Sequence, residues 1–96
     1  MKEKVLIAVC LEYDIKESEL LGFTKKKPFS EARQMFYLFL SKEYRHWEIA
    51  DFTRRDRSNV TKQISQIRQH VKIYKEVSQR YQNIKNHLEK YELQTK

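Results

Sequence analysis

Apolar residues fall on one stripe from Val60 onward. Val60, Ile64, Ile67, Val71 and Tyr74 are separated by 4, 3, 4 and 3 positions, the spacing that keeps side chains on one face of a helix. The positions between them are polar or basic, so the stretch predicts a long amphipathic helix opening near Asp56 or Arg57. The series continues through Val77, Tyr81, Ile84, Leu88 and Tyr91, with two successive steps of three at positions 71, 74 and 77. That slip implies either a helix break near Val77–Ser78 or one continuous helix able to enter a coiled coil. Ahead of it, Trp47 to Phe52 forms a short helix with Ile49, Ala50 and Phe52 facing inward and Trp47 at the core edge rather than stacked on a base.

Earlier in the chain, Ala32, Met35, Phe36, Phe39 and Leu40 follow the i, i+3, i+4, i+7, i+8 pattern. They predict the central core helix, from Phe29 or Ser30 to Lys42. Pro28 is welcome at such a helix start and Ser30 suits its cap. The run Val5 to Leu11 is too short for periodicity to separate strand from helix. With no second strand candidate to pair with, it reads as a buried helix over Lys2–Tyr13, broken at Asp14-Ile15. One more helical turn, Lys16 to Leu21, ends at Gly22, the left-handed residue expected after a helix end. The fold expected is therefore an all-α bundle of five or six helices, a single domain over residues 1–96.

Composition sharpens this picture. One Gly and one Pro in 96 residues leave too few turn formers for an all-β fold. The 20 Lys and Arg outnumber the 13 Asp and Glu, giving a net charge of +7 that suits a phosphate-rich partner. The excess is concentrated: from Arg54 to Arg80 eight basic residues stand against two acidic ones. The lone Cys10 sits in an apolar run, has no internal disulfide partner and reads as a small buried hydrophobe suited to a reducing cytosol. The apolar run at Val5–Leu11 is too short to span a bilayer, and no signal peptide is evident.

A short helix, a tight polar turn and a longer basic helix make a helix-turn-helix over about residues 46–77. The turn and second-helix start read Arg54-Arg55-Asp56-Arg57-Ser58-Asn59-Val60. Asp56 would cap the helix through its carboxylate. Arg57 offers a rigid fork of donors, Ser58 donates or accepts, and Asn59 can pair with adenine, so these residues suit base edges in the major groove. Lys25, Lys26 and Lys27, in the basic loop 23–28, Arg33 just beyond it, and Lys62 suit phosphates.

The chain resembles the C-terminal DNA-binding domain of the bacterial chromosomal replication initiator DnaA. Four stretches carry the likeness in family order. Tyr13-Asp14-Ile15 with Glu19-Leu20-Leu21-Gly22 is similar to the two entry helices. Lys25-Lys26-Lys27 stands where the family has an Arg-rich loop. Ala32-Arg33-Gln34-Met35 followed by Leu38 resembles the family's Arg-Gln-Met helix start. Arg55-Asp56-Arg57-Ser58-Asn59-Val60 resembles its signature Arg-Asp-His-Thr-Thr-Val. The likeness covers roughly residues 3 to 92.

The resemblance implies a helix-turn-helix bundle like that of the initiator domain and of the Trp repressor, placing its signature in the major groove and its basic loop in the adjacent minor groove. On matched positions Asp56, Arg57 and Ser58 would meet bases, with Asn59 at the backbone or a base edge, and Lys25 would probe the minor groove. Lys26, Lys27, Arg33, Gln34, Arg54, Arg55 and Lys62 would serve the backbone or nearby groove edges. Arg57, Ser58 and Asn59 replace the family's His, Thr and Thr, so the preferred sequence should differ. Thr53-Arg54 stands where the family has paired glycines, in a turn one residue shorter. Lys replaces Arg in the loop, a poorer fit to a narrow groove.

The sequence has no Gly-x-x-x-x-Gly-Lys-Ser/Thr phosphate loop, so ATP hydrolysis would need an ATPase-bearing partner or a further domain. The changed signature favours a free-standing relative. His46, His70 and His87 show no i, i+4 pair and there is no second Cys, which argues against a zinc site. No catalytic set is evident, and no cofactor is expected. The expectation is a cytoplasmic, nucleoid-associated protein that binds double-stranded DNA in replication initiation or its regulation. The alternatives are a transcriptional regulator, a coiled-coil interaction module using Ile64 to Tyr91, and a basic helix for acidic membranes.

Overall fold

A computed structural model describes residues 2–94. These form six helices: α1 (Lys2–Tyr13), α2 (Glu17–Leu20), α3 (Phe29–Leu40), α4 (His46–Thr53), α5 (Arg57–Ile73) and α6 (Lys75–Gln94). There is no strand among the described residues, so the all-α class expected from sequence is the observed one.

The apolar run near the N-terminus is a helix. Val5, Ala8, Val9, Cys10 and Tyr13 of α1 are buried. It ends at Asp14, which takes a left-handed φ of 53° while the Ile15 amide bonds the Cys10 carbonyl at 3.1 Å. Asp tolerates this conformation better than most residues. Gly22, expected to be left-handed, is not: the only positive-φ residues described are Asp14 and Arg54. Gly22 instead packs closely on the end of α2: a Cβ there would lie 3.3 Å from the Ser18 carbonyl oxygen, a tight contact that the backbone would have to ease by a few tenths of an ångström.

Helix α3 is the centre of the molecule. From Met35 to Leu40 every residue is buried, so α3 is covered on all sides through its second half, by α1, α2 and α5 among others. Its first residue is Phe29, with Pro28 in the cap position and no side-chain cap bond. Ser30 therefore lies inside the helix and is not its cap.

Helices α4 and α5 meet across a short turn. Ile49 and Ala50 of α4 are buried, and Phe52 is half-buried with its ring edge-on to Tyr44 at 5.4 Å. Trp47, expected at the core edge, is 52% exposed: it belongs to the first turn of α4 and lies outside the stripe that Ile49 and Ala50 direct inward. Arg54 ends α4 in the left-handed conformation, φ 56° and ψ 43°, and the Arg55 amide bonds the Ala50 carbonyl at 2.9 Å.

Val60, Ile64 and Ile67 carry the apolar face of α5 into the core. The break falls at Tyr74, where the backbone turns extended (φ −101°, ψ 120°), three residues ahead of the expected Val77–Ser78. Breaking there lets α6 reverse and lie against α1 and α5, burying Val77 and Ile84 and stacking Tyr81 on Phe39 at 4.8 Å. The continuous helix that a coiled coil would require does not form. No helix among the described residues is long and apolar enough to cross a membrane.

Candidate nucleic-acid interface

The geometry of α5 begins with its burial pattern. With Val60, Ile64 and Ile67 inside, the opposite face must point to solvent. Arg57, Ser58 and Asn59 are all exposed. Arg57 and Ser58 lead a polar stripe that continues through Thr61, Lys62, Ser65, Gln66 and Gln69 along a shallow groove of about 720 Å³. Thr61 and Ser65 follow Arg57 at four and eight positions. The 3.6-residue period identifies them as neighbours of the expected reading residues, although the turn motif alone did not single them out.

A second cleft, about 730 Å³, opens between the basic loop and the start of α5. Lys25, Arg54, Asp56, Asn59 and Lys62 line it, together with Arg33, Gln34 and Arg55. Residues from three separate stretches of sequence are thus brought to one place. Lys27 faces elsewhere, lining a third depression with Glu31, His70 and Tyr74 near the α5–α6 break. Lys26 is exposed, and its backbone is held at both ends: its amide bonds Thr24 Oγ1 at 3.4 Å and its carbonyl accepts the Ser30 amide at 3.0 Å.

Two of the arginines in the cleft are committed to the protein's own backbone. Arg33 donates from Nε to the Leu20 carbonyl at 2.8 Å and from Nη1 to the Thr24 carbonyl at 3.0 Å. Its planar fork spans the end of α2 and the loop that follows. Burial, and to a lesser degree the neighbouring Arg55 charge, pull the Arg33 pKa down from its ordinary value, while Tyr37 opposes the shift. Arg55 donates from Nη2 to the Gly22 carbonyl and lies with its guanidinium carbon 3.9 Å from the centre of the Phe23 ring. Both side chains therefore hold the loop in position rather than reaching outward for phosphate. Gln34 is likewise occupied, donating to Gln63 Oε1 and to Gln66 Oε1 at 3.1 Å, which ties α3 to α5.

Asp56 occupies the cap position of α5 but makes no side-chain bond to the first-turn amides. Its carboxylate accepts the Ser58 hydroxyl instead, so these two expected base-readers are paired with each other. The negative charge still sits favourably at a helix N-terminus. The two helices of the motif are pinned by His46 Nδ1 and Thr61 Oγ1, 2.8 Å apart. Arg54, Arg57, Asn59, Lys25 and Lys62 are exposed.

Cys10 is buried and its thiol pKa is raised, first by burial and then by the charges of Glu17 and Glu19; a raised pKa opposes formation of the nucleophilic thiolate. Among the described residues no cluster of three or more His, Cys, Asp or Glu could hold a metal ion. Comparison with protein-family models and with curated proteins gives no match for this chain.

Proposed function

We propose that this chain binds double-stranded DNA with sequence preference, α5 lying in the major groove and the 23–28 loop meeting the adjoining minor groove. The observation that carries this reading is the convergence of Lys25, Arg54, Asn59 and Lys62 on one cleft at the start of α5. A cationic rim around an exposed polar helix start fits a phosphate-flanked groove. Left-handed Arg54 aims the helix, and Arg33 and Arg55 fix the loop beside it. Arg57 reads a base edge through its donor fork, with Thr61 and Ser65 as its neighbours along the helix, and Asn59 faces the loop-side cleft. The likeness of four sequence stretches to the initiator domain supports a role at the nucleoid in replication initiation or its control, alongside an ATPase-bearing partner.

Selection from a pool of random duplexes tests this directly. The expected result is an enriched motif, with affinity falling steeply as salt rises, by about 0.9 log units per log unit of salt for each phosphate neutralised. Lys62→Ala should reduce that slope by about one unit while leaving the motif intact. Arg57→Ala should cost about 1–3 kcal/mol and blur one position of the motif. Absence of any enriched motif, with binding insensitive to salt, would overturn the proposal. Preferential flotation with anionic vesicles would overturn it in favour of a membrane surface.

A further inference from the structure

Phe23 stands out among the apolar side chains. It is 76% exposed, more than any other large hydrophobic residue described. An aromatic ring left in water forgoes the burial that normally stabilises it, and a slack loop would fold it away. This loop is not slack. Arg55 binds the carbonyl of Gly22, immediately before the ring, and Arg33 binds that of Thr24, immediately after it. The Arg55 guanidinium also covers one side of the ring at 3.9 Å. Phe23 is thus braced from behind on an arginine and shares its cleft with Lys25, Asn59 and Lys62.

A rigidly presented aromatic ring flanked by cations is the arrangement that parts base steps in the minor groove. Apolar wedges of this type partly unstack a step and kink the duplex toward the major groove. Resting on the duplex-binding reading above, we propose that Phe23 is a wedge that enters the minor groove beside Lys25 and bends the DNA around the start of α5. The bend brings the flanking phosphates toward the cationic rim. The step favoured beneath the loop is pyrimidine–purine, because TA and CA/TG steps unstack most easily. Sequence preference would then extend beyond the bases that α5 reaches.

The test uses duplexes recovered from a random pool by the full chain, carrying a fluorophore pair at their ends and 2-aminopurine at the step beneath the loop. The wild-type protein should shorten the end-to-end distance, with a bend in the range of about 20–90°, and raise the 2-aminopurine emission. Phe23→Ala should still bind, about tenfold more weakly, without bend or emission rise. Phe23→Leu, an apolar wedge of smaller size, should retain both. Because the ring is exposed, neither substitution should alter the circular dichroism spectrum. Equal bending by wild type and Phe23→Ala would overturn the wedge while leaving duplex binding standing. Tighter binding to single strands than to duplex, lost in Phe23→Ala, would overturn it in favour of a base-stacking platform. Failure of the wild-type chain to recover any duplex would overturn both readings.

Discussion

Arg33 and Lys25 carry the same charge and line the same cleft, yet the surrounding atoms give them opposite roles. Arg33 is half-buried with its donors on the Leu20 and Thr24 carbonyls. Lys25 is exposed on the rim. Arg33→Ala should lower unfolding free energy by about 1.5–3 kcal/mol, the usual worth of hydrogen bonds from a charged donor. Arg33→Lys should not restore it, because an ammonium cannot span two separate carbonyls as a planar fork does. Lys25→Ala should change stability by less than about 0.5 kcal/mol and weaken duplex binding for all sequences alike. Urea titrations beside salt-controlled binding curves separate the two outcomes. Sequence reading placed both residues at the interface but could not tell them apart. Charge is visible in the letter code, whereas the carbonyls that claim a guanidinium lie on elements distant along the chain. The same holds for Arg55, drawn to Gly22 across 33 positions.

Periodicity served best where one face of a helix meets the core. The apolar set of α3 lies inside as its spacing implied; of the α5 set, Val60, Ile64 and Ile67 are buried, Val71 is half-buried and Tyr74, at the break, is exposed. The strand-like run at Val5–Leu11 is helical, consistent with its having no pairing partner. Local chemistry was less readable at element ends. Ser30, Gly22 and the Asp56 carboxylate each have ordinary cap or turn preferences, but tertiary contacts and competing hydrogen bonds decide their conformations. The break between α5 and α6 was visible as a slip in spacing, yet its position at Tyr74 follows from where α6 must start to return along α1. That reversal has a measurable signature. Ile84 is fully buried by it, so Ile84→Ala should cost about 2–5 kcal/mol. Ile73, 68% exposed beside the break, should tolerate Ala within about 0.5 kcal/mol. A continuous helix would leave Ile84 without a core to enter, and the two substitutions would then melt alike in denaturant titrations.

Across the whole molecule, α1, α3 and α6 are knotted together by Tyr13, Glu31, Glu12 and Arg80. The Tyr13 hydroxyl donates to Glu31 Oε2 at 2.6 Å, Arg80 caps the Tyr13 ring at 4.6 Å, and Arg80 Nη1 donates to the Glu12 carbonyl at 3.2 Å. Burial, then the hydrogen bond to Glu31, push the Tyr13 pKa upward. A pKa raised in the folded state stabilises fully below the unfolded value, and the benefit is lost as pH climbs above it. Wild-type stability should therefore decline once pH passes the ordinary tyrosine value of about 10. Tyr13→Phe, which has no proton to lose, should show a shallower decline in urea midpoint over the same range. Buried Tyr37 is shifted in the same direction, so some decline should persist. Two positions along α3 from Glu31, Arg33 joins Arg55 in fastening the lysine loop to the body from two sides, which fixes the loop beside the start of α5. Such a clamp acts as a ruler with a fixed gap. On the duplex-binding reading proposed above, one base pair inserted between the two half-contacts would advance the helix by about 3.4 Å and rotate it by about 35°, throwing the far contact out of phase. A protein with a tethered arm could follow that displacement; this one would tolerate a single spacing.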